Sequence, residues 1–134
     1  MGINFVKAAL NVGDYVVATA RKVENLNKVF TDDPSLVKLE LDITDSNSVR
    51  AAINATVDKF GKIDVLLNNA GNFYGGYFEE LSPSQIRRQF ETNVFGTLNM
   101  TREVLPIMRK QQSGHVITIS SSAGLVGFEF NSAY

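Results

Sequence analysis

Apolar residues recur at Phe5, Ala8, Ala9 and Val12 with the spacing of one helical face, and Gly13 follows where such a helix needs a stop. Tyr15 to Ala20 is a short β-rich run. A short helix is predicted through Val23, Leu26 and Phe30, ending before Asp32, Asp33 and Pro34. From Leu36 to Leu41 the pattern alternates. Val37, Leu39 and Leu41 share one side and Lys38 and Glu40 the other, as in a half-exposed strand at a sheet edge. Val49, Ala52, Ile53, Val57 and Phe60 form a helical stripe stopped by Gly61. Ile63 to Leu67 is apolar almost throughout and predicts a buried central strand. A long helix starts at Ser82-Pro83-Ser84-Gln85, a capping box with proline at the first helical position. It is expected to run towards Gln111 with a bend near Pro106, and with Ile86, Phe90, Leu98 and Leu105 as its core stripe. Gly114 leads into a last strand, His115 to Ile119.

Helix and strand therefore alternate strictly, with short connections. That order calls for right-handed crossovers and a parallel sheet covered by helices on both faces, an α/β doubly wound fold. No repeat, linker or low-complexity segment interrupts it, and residues 1–134 read as one domain or part of one.

Composition narrows the function. With 44% hydrophobic and 20% charged residues the chain is ordinary globular material. A net charge of −1 leaves no electrostatic footprint for nucleic acid or an anionic membrane. Zero cysteines and one histidine remove disulfides, thiolate chemistry and histidine-based metal sites. No apolar run approaches the roughly eighteen residues of a membrane span. A soluble cytoplasmic protein is expected.

Two stretches carry candidate chemistry. Asn68-Asn69-Ala70-Gly71 follows directly on the apolar run ending at Leu67, at the strand end where open α/β sheets bind ligands. It could equally be a polar turn closed by Gly71. The second stretch runs from the last strand through Ser120, Ser121 and Ser122 to Gly124 and on to Tyr134, thirteen residues beyond Ser121. That spacing lets a hydroxyl at a strand end face a phenol across one small polar atom. Two neutral hydroxyls so placed can hold a carbonyl oxygen and pass it a proton. Aromatic residues cluster nearby: Phe73, Tyr74, Tyr77 and Phe78 after one stretch, Phe128 and Phe130 after the other. They could wall an apolar pocket or pack beneath loops.

Together these pieces resemble the short-chain dehydrogenase/reductase family, nicotinamide-dependent enzymes on a Rossmann-type sheet. The matching segments are Ala18-Thr19-Ala20-Arg21, Leu41 to Asp45, Asn68 to Gly71, Asn93-Val94-Phe95-Gly96, and Ile119 to Gly124 with Tyr134. They follow the family's order and spacing along the whole chain. The resemblance implies that Tyr134 is the acid/base, that Ser121 polarises the substrate oxygen, and that Asn93 holds a water in the proton relay. It implies contacts from Asp42 and Ile43 to adenine and a floor of Asn69, Ala70 and Gly71 beneath adenosine. An acid at the end of the second family strand selects NAD(H). Here neutral Ala20 is followed by cationic Arg21, which suits the 2′-phosphate of NADP(H), with NAD(H) as the alternative. The implied substrate is a small carbonyl or alcohol, and the implied assembly a homodimer or homotetramer. A nucleotide-sugar epimerase, or a non-catalytic cofactor sensor on the same fold, are the other readings.

Two family features are absent from these 134 residues. Met1-Gly2-Ile3 resembles the tail of the glycine-rich turn, with Gly2 as its last glycine, while the strand before that turn is missing. The lysine four residues beyond the tyrosine is missing too. The expectation is a partial Rossmann-type domain, lacking the first strand and the C-terminal part. In the family order 3-2-1-4-5 that first strand is central. The 134-residue chain by itself is therefore expected to be poorly folded and inactive.

Overall fold

The computed structural model describes residues 1–134. Helix α1 spans Gly2–Asn11 and hands over through Gly13, whose φ of 88° is left-handed. Strand β1 (Val16–Ala20), the short α2 (Glu24–Asn27) and β2 (Leu36–Glu40) follow. Helix α3 (Ser46–Phe60) is capped by the Asp45 carboxylate, which accepts the Asn47 N–H at 2.9 Å, and stops at left-handed Gly61. After β3 (Val65–Asn68) comes α4 (Pro83–Phe90), with the expected reciprocal bonds between Ser82 and Gln85. Helix α5 (Thr97–Gln111) and β4 (His115–Thr118) complete the order. No helix is long and apolar enough to cross a membrane.

All pairing is parallel, but in two separate ladders. β1 pairs with β2 and β3 with β4, and no ladder joins β1 to β3. Val16 donates to Ser35 O at one end of the first pair and Leu41 to Ala20 O at the other. Even-numbered residues of β1 therefore face β2, and Val17 and Thr19 turn their amides the other way. By the same logic, His115 donates to Asp64 O and Ile119 to Asn68 O, so Val65 and Leu67 point away from β4. These outward residues line a single cavity of about 570 Å³ between the strands, closed on one side by Gly2 and Phe5 of α1. The gap accounts for one difference from the sequence pattern. Val65 is 53% exposed, although it belongs to a run that reads as wholly buried.

The main core lies between β3, α3 and α5 and includes Val49, Ile53, Leu66, Met100, Val104 and Met108. A smaller cluster of Ala18, Phe30 and Leu36 packs on β1. Two expectations for the long helix need correction. Its break lies at Glu91–Gly96, a wider π turn, and α5 continues through Pro106. The stripe is also different. Phe90, Leu98 and Leu105 are 41–53% exposed, because α5 turns Met100, Val104 and Met108 towards the core instead. Lys38, expected on a solvent face, lays its stem along the protein and bonds Phe30 O at 2.9 Å and Asp32 at 3.2 Å.

Candidate active site

The C-terminal ends of β3 and β4 meet above the core. Asn68, the last residue of β3, is buried, and its amide donates to Thr101 Oγ1 (3.2 Å) and Thr118 Oγ1 (3.3 Å). This first asparagine of the pair thus staples β3 to α5 and β4. Side chains alternate along an extended chain, so Asn69 faces the opposite way. It lines both main cavities.

The second of these, about 540 Å³, is also lined by Ala70, Gly71, Asn93, Ser121 and Tyr134. No charged side chain borders it. Ser121 caps the short turn Ser122–Gly124, its Oγ accepting the Ala123 N–H at 3.2 Å, which leaves its own O–H to donate. Tyr134 packs its ring edge-on against Phe73, centroids 5.2 Å apart at 78°. The segment before it is tied to the loop after β3. Gly76 N donates to Phe130 O (2.9 Å), Ser132 Oγ to Gly76 O (2.9 Å), and Tyr77 tilts over Phe130. Of the two aromatic clusters only Phe73 lines this cavity, while Tyr77 and Phe130 pack on one another away from it.

Asn93 lies inside the π turn. Its Oδ1 accepts the Asn72 N–H at 2.8 Å and its Nδ2 donates to Asn72 O at 2.8 Å. A Cβ at Gly71 would already touch that Oδ1 at 3.4 Å. Gly2 is similarly close to the site: a methyl there would sit 3.0 Å from Asn69 Nδ2.

Arg21, Asp42 and Ile43 lie at the same end of the sheet, beyond β1 and β2. Arg21 and Asp42 line neither main cavity, and Ile43 lines only the first. Asp42 is held below its ordinary carboxylate range by the Thr44 hydroxyl (2.7 Å) and the Thr44 N–H (2.9 Å). The charge of Arg21 adds to this, and partial burial works against it. Asn99 of α5 donates to Ile43 O at 3.1 Å, and Gly96 admits the Ile43 side chain where a Cβ would meet it at 2.6 Å. The loop after β2 is thereby fastened to the helix that carries Asn93.

The sequence profile described as short chain dehydrogenase matches residues 1–134 in full. Oxidoreductase BOA17 of Botryotinia fuckeliana is 39% identical over 136 residues, covering 100% of this chain and 50% of that protein. A short-chain dehydrogenase from Streptomyces avermitilis superposes with a TM-score of 0.90 at 38% identity, over 99% of this chain and 49% of that one. ElxO with NADP bound superposes at 0.88 and 30% identity, over 98% and 54%. The chain spans about half the length of the curated relatives it matches.

Proposed function

The chain belongs to the short-chain dehydrogenase family, and from that premise we propose that the protein is an oxidoreductase moving a hydride between NADP(H) and a carbonyl or secondary-alcohol carbon. The observation that carries this reading is that Ser121, Tyr134, Asn93 and Asn69 to Gly71 border one cavity that no charged side chain lines.

The residues present suit a dinucleotide. Ala70 and Gly71 offer backbone without bulk, and Gly2 lets the start of α1 approach Asn69 closely. Gly2, Asn69, Ala70 and Gly71 would hold it, with Asp42 and Ile43 beside adenine and Arg21 at a 2′-phosphate. A bound nicotinamide supplies or takes up the hydride. Tyr134 donates its phenolic proton to the carbonyl oxygen as the carbon is reduced, and recovers it in the reverse direction. The free O–H of Ser121 donates to the same oxygen and stabilises the charge that develops there. Asn93 spends one hydrogen and one lone pair on Asn72, and its carboxamide keeps a second of each for a relay water.

The test is cofactor oxidation by the full-length protein with a panel of aliphatic and aromatic ketones. Tyr134→Phe and Ser121→Ala should each lower kcat by about 100-fold or more. Turnover that survives both substitutions would discard the reading.

A further inference from the structure

We propose that Gln89 is a positioning residue for the reaction: its carboxamide fixes the backbone on which Tyr134 and the facing loop are hung. This rests on the reading of Tyr134 as the acid/base. Gln89 is only 2% exposed, which sets it apart from the other polar residues of α4. A buried carboxamide is tolerated when both ends are bonded, and here both are. Oε1 accepts the Tyr74 N–H at 2.6 Å, and Nε2 donates to the Ala133 carbonyl at 2.5 Å. That carbonyl belongs to the peptide unit leading into Tyr134.

The arrangement is paired with the one at Asn93, four residues on along the helix. Asn93 takes both backbone groups of Asn72, and Gln89 takes the N–H of Tyr74, two residues further along the same loop. Two amides on one helical face thus hold alternate residues of the loop after β3. Between those two anchor points projects Phe73, whose ring meets the Tyr134 ring edge-on. Gln89 bonds the N–H of the residue after Phe73 and the carbonyl of the residue before Tyr134, so one side chain ties the backbone on both sides of this aromatic contact. Its loss frees the phenol to shift relative to Ser121, and a displacement near 1 Å is enough to slow a positioned reaction about 100-fold.

The experiment compares Gln89→Met and Gln89→Glu in the full-length protein, with Tyr134→Phe as the control for the site itself. Gln89→Met, close in volume and without hydrogen bonds, should lower kcat about 10- to 100-fold while cofactor Kd changes less than about twofold. Gln89→Glu carries the discriminating readout. Ionised, the new carboxylate opposes the Ala133 carbonyl; protonated, it restores the donor in the same shape. Burial favours the protonated form, so the kcat of this variant relative to wild type should climb as pH falls. Three results overturn the proposal: an unchanged kcat in Gln89→Met, a loss of kcat matched by an equal loss of cofactor affinity, or a Gln89→Glu deficit that ignores pH. A Tyr134→Phe variant that keeps full turnover would instead remove the premise about the phenol.

Discussion

The carboxamide of Asn93 satisfies both the N–H and the C=O of Asn72, at 2.8 Å each. One side chain therefore does for the loop after β3 what a neighbouring strand would do. Asn93→Leu leaves two partly buried backbone groups without partners, at a cost of roughly 1–3 kcal/mol for each. Asn93→Asp keeps the acceptor, loses the donor and should fall between Leu and wild type. Chemical denaturation of the three proteins checks the order; a Leu variant as stable as wild type would refute it.

Arg21 follows neutral Ala20 at the end of β1 and lies close enough to Asp42 to lower its pKa. If it meets a 2′-phosphate, the full-length protein binds NADPH more tightly than NADH. A charge-assisted hydrogen bond contributes about 1.5–3 kcal/mol, or roughly 10- to 150-fold in affinity. Arg21→Ala should remove most of that preference and leave NADH binding as it was. Titration of both cofactors decides, and equal loss for both would discard this role.

Asp42 gives a pH dependence with a definite sign. Its carboxyl is more acidic in the folded chain than an ordinary aspartate, chiefly through Thr44. A lowered folded pKa means that the stabilisation is fully present above the ordinary value of about 3.9. It is lost as pH falls through the lowered folded value. Thr44→Val removes the hydroxyl donor at 2.7 Å and should move the Asp42 titration upward, towards the unfolded value. Carbon-detected NMR of the carboxyl reads this directly. An unmoved titration would mean that the hydroxyl is not the main cause.

Hydrogen exchange of the 134-residue polypeptide should divide each inner strand by alternate residues. The amides of Val17, Thr19, Val65 and Leu67 face the cavity between the ladders and should exchange fastest within their strands. Slow exchange at all four would show that the facing edges are already paired.

Much of this architecture was legible because local signals agreed with one another. The Ser82–Gln85 box, the glycine stops at Gly13 and Gly61, and the apolar run ending at Ala20 mark real boundaries, while β3 spans Val65–Asn68 where the apolar pattern predicts Ile63 to Leu67. The separation of the two ladders also follows from the resemblance, which places a strand between them. Other features left no readable trace. Asn68 and Asn69 are chemically identical and both line the cavities, and only the alternation of the strand gives the first its bonds to Thr101 and Thr118. Gln89 stands among arginines and a glutamine on a short amphipathic helix, and so reads as surface. A polar residue four before Asn93 was the available clue, since the two share a helical face. The π turn was invisible because no composition favours it; its stability comes from the bonds that Asn93 and Thr92 make to the loop.

That turn also governs which changes of length the helix can absorb. One residue of α-helix corresponds to about 100° of rotation, so the wide turn at Glu91–Gly96 acts as a phase offset between α4 and α5. Upstream of it Gln89 addresses the loops of the candidate site, while downstream Met100, Val104 and Met108 address the core. Deleting a single residue between Glu91 and Phe95 would let the helix run on regularly. Because a π turn holds one residue more than the α turn it replaces, that deletion would leave the α4 and α5 side chains facing much as they do now. The segment can therefore absorb the loss of that one residue, whereas an insertion would swing the α4 side chains about a quarter turn around the axis and cost them their register to the site.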